Sequence, residues 1–180
     1  MEENWVFGYG SLMWRPGIAY EERRTALLRG LHRALCVYSH VHRGTPERPG
    51  LVLGLDRGGC CRGVAFRIAA PRWSETLQYL REREQVTSVY LETTRHITLE
   101  GSDARQVPAL AYTVDRRHLQ YAGKLPLDEQ LKIVKAARGR SGDNPDYVMS
   151  TAAHLREMGF RDQALEWLAE RLGEPVTAGP

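Results

Sequence analysis

Runs of β-branched and aromatic residues crowd the first two-thirds of this chain, and 3.6-residue periodicity takes over after Pro126. That order disfavours an alternating parallel sheet and favours an α+β fold. Trp5-Val6-Phe7 reads as a strand that breaks into a tight turn at Gly8-Tyr9-Gly10. Further strands are expected over 31–41, 51–55 and 63–68. The prolines and glycines of residues 42–50 forbid regular structure, and a turn is expected at Gly58-Gly59. Pro71 and Ser74 announce a helix reaching Glu84, with Ser74 as its N-cap. Strands resume over 87–98 and 109–114. Helices follow from Leu127 to a stop at Gly139, over 146–158 and over 162–172.

The chain has 180 residues and shows no internal repeat, low-complexity tract or linker, so a single domain spanning 1–180 is expected, with 174–180 a loose tail. Lys and Arg number 25 against 22 Asp and Glu, a net charge of +3. That excess is too small and too evenly spread to predict a nucleic-acid partner, and it leaves room for a small anionic ligand. No apolar run approaches the roughly 18 residues of a membrane span, and no membrane partner is expected. The first residues are acidic where a secretory leader needs a basic flank. Cys36, Cys60 and Cys61 lack metal or redox spacing. These features together predict a reducing cytoplasm.

Three features are able to carry chemistry. In Gly8-Tyr9-Gly10-Ser11-Leu12-Met13, two glycines permit positive φ and let successive N–H groups converge on an anion. A third glycine and a following helix are missing, so this is no dinucleotide fingerprint. Glu84 is the second. At about 100° per residue from Trp73, the residues Leu77, Leu80 and Glu84 fall within about 40° of one another, whereas Glu82 lies about 180° away. Glu84 therefore projects on the apolar stripe, flanked by Arg81 and Arg83. An inward carboxylate needs a partner or a job, and burial raises its pKa toward the range useful for proton transfer. The third is His40-Val41-His42, whose imidazoles would share one face of a strand and reach one metal if further ligands existed. Ser11 lacks the surroundings of a nucleophile elbow.

Taken together, Trp5 to Trp14, His42-Arg43-Gly44-Thr45-Pro46 with Pro49-Gly50, Tyr79-Leu80-Arg81-Glu82-Arg83-Glu84 and Gln120-Tyr121-Ala122-Gly123 resemble the ChaC family of γ-glutamylcyclotransferases, in family order. The resemblance implies a small mixed β-barrel with surrounding helices, and cleavage of glutathione to 5-oxoproline and cysteinylglycine with no cofactor and no metal. By motif, Glu84 matches the catalytic glutamate. Gly8, Tyr9, Gly10, Ser11, Leu12 and Met13 match the substrate-binding loop, and Tyr121 matches a tyrosine of the substrate pocket. Two other readings compete: a metal-dependent amidohydrolase using His40 and His42, and a non-catalytic module that binds small anions on the turn. Neither the oligomeric state nor the choice between glutathione and other γ-glutamyl compounds is set by the sequence.

Overall fold

A computed structural model describes residues 3–85 and 87–174. Five strands close a barrel: β1 (Asn4–Gly8), β2 (Glu22–Ser39), β3 (Gly50–Ile68), β4 (Tyr90–Leu99) and β5 (Arg105–Val114), in the order β1-β3-β2-β4-β5. The pairing is mixed. β1 runs antiparallel to β3, with Val6 opposite Phe66, and parallel to β5, with Trp5 beside Ala109. β4 and β5 form a long antiparallel hairpin from Tyr90↔Val114 to Leu99↔Arg105. Four helices complete the α+β fold: α1 (Trp73–Glu84), α2 (Leu127–Ala136), α3 (Asn144–Glu157) and α4 (Gln163–Gly173). The packing resolves into two compact units, one of residues up to 34 with 53–121, the other of 35–52 with residues from 122 onward.

The first unit holds the barrel core. Trp5, Phe7, Leu28, Leu55, Ile97 and Leu99 are almost wholly removed from solvent. At about 25 cal/mol per Å² this apolar burial is the main force closing the barrel. Ala65, Ala109 and Ala111 fill the remaining space where strands approach, alternating with outward neighbours as a pleated strand requires.

In the second unit, α3 packs against α4 and α2 through the buried Val134, Val148, Ala152, Leu155, Leu165 and Leu168. The side chain of Asn144 is fully buried and clamps one backbone residue. It accepts from Leu51 N at 2.8 Å and donates to Leu51 O at 2.8 Å. A short hairpin, β6 (Arg138–Gly139) with β7 (Gly142–Asp143), leads into α3.

Several sequence expectations are corrected. The run expected over 31–41 is part of an 18-residue strand that starts at Glu22 and ends at Ser39. Its charged beginning is stabilised by ion pairs, including Glu22 with Arg67 at 2.9 Å. Gly58-Gly59 is no turn: both residues take positive φ, 99° and 65°, inside the continuous β3, where they bend the strand in place of reversing it. Ser74 does not cap α1. Pro71 opens a 3₁₀ turn over Ala70–Arg72 that feeds straight into the helix, leaving Ser74 in its first turn. The strand expected from 87 begins at Tyr90, after a turn at Thr87-Ser88. α2 stops at Ala136 because Ala137 is already extended, and Gly139 belongs to the hairpin. α3 starts two residues before Asp146, with Pro145 in its first turn. Asp162 is the N-cap of α4, accepting from Leu165 N at 3.1 Å. Of the expected tail, residues 175–180 lie outside the described residues.

Candidate active site

β1 delivers the chain to Gly8, paired with Val64, and the backbone then doubles back into a 3₁₀ turn over Ser11–Met13. Neither Gly8 nor Gly10 has positive φ, contrary to expectation; Gly10 sits at φ −132°. What Gly8 needs is space, since a Cβ there would stand 3.3 Å from Leu12 Cβ. Leu12 and Met13 are buried and anchor the turn, and Met13 N donates to Gly10 O at 2.9 Å. The Arg33 guanidinium donates to Tyr9 O from β2. Ser11 and Leu12 open the 3₁₀ turn, so their N–H groups have no acceptor within it.

The end of α1 supplies the carboxylate. Leu80 is buried, the Glu84 side chain keeps 21% of its exposure, and Glu82 lies at the surface, where it accepts from Gln78. The helical count therefore placed both acids correctly. Burial pushes the Glu84 carboxyl above the ordinary carboxylate range, and the neighbouring Arg83 charge, 3.3 Å away, partly opposes the rise. Arg83 also reaches the turn: Nη2 donates to Ser11 Oγ at 2.9 Å, and Nη1 to Arg15 O at 2.8 Å. Turn and carboxylate are thus joined through one guanidinium. Ser11 Oγ is an acceptor for Arg83, an arrangement of a tether and not of an activated nucleophile.

Two further clusters were not foreseen. Tyr112 on β5 donates to Glu92 Oε2 at 3.2 Å, directly across the β4–β5 ladder, and Glu92 accepts two 2.8 Å bonds from Arg81. Burial and the negative charges of Glu92 and Glu84 push the Tyr112 phenol far up. Tyr121, expected in a substrate pocket, donates to Asp56 Oδ2 at 2.7 Å. Asp56, only 4% exposed, also accepts from Arg116 Nε at 2.7 Å, and the Arg116 guanidinium lies 5.5 Å from the Tyr121 ring centroid. Burial alone would raise the Asp56 pKa; hydrogen bonds from Arg116, Tyr121 and the Arg57 N–H outweigh it and hold the carboxyl below its usual range. The available clue was an acid ending the apolar run Leu51–Leu55.

His40 and His42 do not share a strand face. β2 ends at Ser39, both residues occupy the bend that follows, and His42 Nδ1 bonds Ser141 Oγ at 2.8 Å. Among the described residues no three His, Cys, Asp or Glu side chains group closely enough to hold a metal ion. The three cysteines form no disulfide, with Cys36 and Cys61 buried and Cys60 exposed. Among the described residues no helix is long and apolar enough to cross a membrane.

A glycine turn beside an inward carboxylate of raised pKa can hold an anionic substrate and move a proton. Residues 4–174 match the family model for ChaC-like proteins. The chain belongs to the ChaC family. Among ChaC relatives it is similar to the glutathione-specific γ-glutamylcyclotransferase of Escherichia coli (strain K12), with 37% identity over 161 residues covering 89% of this chain and 69% of that protein. Against the glutathione-specific γ-glutamylcyclotransferase 1 of Homo sapiens the identity is 35% over 175 residues, covering 94% of this chain and 78% of the relative. The crystal structure of a γ-glutamyl cyclotransferase specific to glutathione from yeast superposes with a TM-score of 0.84 over 96% of both chains. At 24% identity that likeness establishes the ChaC barrel as a fold.

Proposed function

We propose that this ChaC-family protein cleaves glutathione to 5-oxoproline and cysteinylglycine, with Glu84 as the group that moves protons. The α-amine and the γ-carbonyl of a γ-glutamyl amide belong to one residue, so attack of that nitrogen on the γ-carbonyl carbon closes a five-membered lactam. No enzymic nucleophile is required, and a folded substrate supplies much of the rate, since well-oriented intramolecular attack is worth about 7–11 kcal/mol. At neutral pH the amine is a protonated ammonium. Glu84 takes one proton, the freed amine adds to the γ-carbonyl carbon, and Glu84 passes that proton to the departing nitrogen of cysteinylglycine as the amide bond breaks; the second proton that the new lactam nitrogen sheds returns to Glu84 and from there to solvent or the product amine.

The single observation that carries this reading is the mostly buried Glu84 of raised pKa, joined through Arg83 to the Gly8–Met13 turn. In this reading the N–H groups of Tyr9 to Leu12 receive the α-carboxylate or the oxyanion that forms from the γ-carbonyl, and Tyr121 lines the substrate pocket. Glutathione as the substrate rests on the relatives of that stated specificity, which align over most of this chain. In the same reading residues 1–180 make one catalytic domain, a view supported by a family match that runs unbroken over residues 4–174. A cytoplasmic location accords with the reducing conditions glutathione requires. The test is direct: purified protein is incubated with glutathione and the products are identified by mass. Release of 5-oxoproline and cysteinylglycine is expected, and open-chain glutamate in place of 5-oxoproline would refute the cyclisation.

A further inference from the structure

We propose that Arg83 is the positioning residue of the reaction, the side chain that sets the separation between the Gly8–Met13 turn and Glu84; the proposal rests on the cyclotransferase reading above. Its guanidinium is used on every edge. Nη2 donates to Ser11 Oγ at 2.9 Å, Nη1 donates to Arg15 O at 2.8 Å and Pro16 O at 3.1 Å, and Nε faces Glu84 Oε1 at 3.3 Å. One planar group thus grips the substrate turn near its start and again just past its end. A lysine has one point of charge and cannot span these acceptors at once.

The surroundings of Arg83 are organised for the same purpose. Tyr79 lies one helical turn earlier on α1, and its hydroxyl is 3.4 Å from Arg83 Nη1. That hydroxyl fills the space a Cβ at position 17 would take, and Gly17 there has φ +64°. The face of α1 carrying residues 79 and 83 therefore seats residues 11–17, while Leu80 and Glu84 turn inward. When Glu84 gains and loses its proton in the cycle, only the Nε contact changes. The bonds to Ser11, Arg15 and Pro16 persist, and the turn keeps its place.

The charged and titratable groups acting on Glu84 are few. Arg83 comes from its own helix, and Tyr112 from β5 carries hydrogen-bonded Glu92 of β4 with Arg81 behind it. Arg83 is the cation that favours the ionised base. Its removal should therefore act twice, on geometry and on the pH at which Glu84 becomes a base.

The experiment compares kcat and KM for glutathione, across pH, in Arg83→Met, Arg83→Lys and Ser11→Ala, with Glu84→Gln alongside and thermal unfolding as the fold check. Arg83→Met is expected to lower kcat/KM by about 100-fold, the scale of an ångström-sized misplacement. The acid limb of its pH profile should move to higher pH. Arg83→Lys should return the limb to the wild-type position while leaving most of the loss in kcat/KM, and Ser11→Ala, which removes one bond, should cost about 10-fold or less. Wild-type kcat/KM in Arg83→Met, an unmoved acid limb, or full rescue by lysine overturns the proposal. If Arg83→Met does not fold, the lysine variant decides by the same two readouts. Normal turnover by Glu84→Gln instead brings down the proton-transfer reading, so the two failures are distinguishable.

Discussion

Replacing Glu84 by Gln should cripple the enzyme and stabilise the fold, and the sign of the second effect follows from the site. The carboxyl is mostly buried and its pKa is raised by that burial, so the native state holds the proton more tightly than the unfolded chain does. Such a group favours the native state below the unfolded value near 4.5, and that contribution is lost as pH rises through the folded value. Glutamine has the same shape and no charge to desolvate. It does not orphan Arg83, which keeps its bonds to Ser11, Arg15 and Pro16. Relief of this kind at active sites is worth about 0.5–2 kcal/mol, or roughly 1–8 °C in Tm for a chain this size. The assay is thermal unfolding of wild type and Glu84→Gln from pH 4 to pH 8, with 5-oxoproline release measured on the same samples. Turnover should fall about 10²–10⁴-fold. The stability gain should be small at the acid end and grow as pH climbs past 4.5. A variant that is less stable at pH 7, or whose gain is the same at every pH, would refute the burial argument. Glu82→Gln is the matched control, exposed two residues away, and should change neither quantity.

Asn144→Ala removes two 2.8 Å bonds and leaves the buried Leu51 N–H and C=O unpaired, which should cost about 2–6 kcal/mol in denaturant unfolding. Tyr121→Phe loses a 2.7 Å bond to the Asp56 carboxylate, worth about 1.5–3 kcal/mol at pH 7. Because the Asp56 pKa is depressed, its stabilisation is present above its unfolded value and lost as pH falls through the folded one. The Tyr121→Phe deficit should therefore shrink in acid, as urea titrations at several pH values would reveal. His42→Ala, and wild type treated with a chelator, should both retain 5-oxoproline release, and loss of activity in either would revive a role for metal.

The parts of this fold legible in the sequence were those decided by local pattern. Trp5-Val6-Phe7 and the stripe Trp73, Leu77, Leu80, Glu84 carry strand and helix periods respectively, and both formed as read, down to the inward turn of Glu84. Glu22-Arg23-Arg24 hid the start of β2 because its strand character depends on ion pairs with distant residues such as Arg67. Gly58-Gly59 reads as a reversal in any single sequence, and only the neighbouring strands decide that it is a bend within β3. The same limit governs the site. Glu84 and the turn were identifiable by motif and by helical phase. The contacts of Arg83 with Ser11 and of Tyr121 with Asp56 link residues 72 and 65 positions apart, and no local spacing encodes such meetings.

That separation also orders events in time. The Arg83–Ser11 contact spans 72 residues, and the parallel Trp5–Ala109 pair brings residue 5 to residue 109. Contacts of this range return free energy only after a long loop has been closed at an entropic cost, whereas helix α1 and the β4–β5 hairpin rest on near neighbours. A refolding chain is therefore expected to assemble its helix and hairpin first. The Arg83–Ser11 contact, and with it the burial of the Glu84 carboxylate, is expected to form after them. Secondary structure should accordingly recover ahead of catalytic competence, with the Glu84 carboxylate buried last.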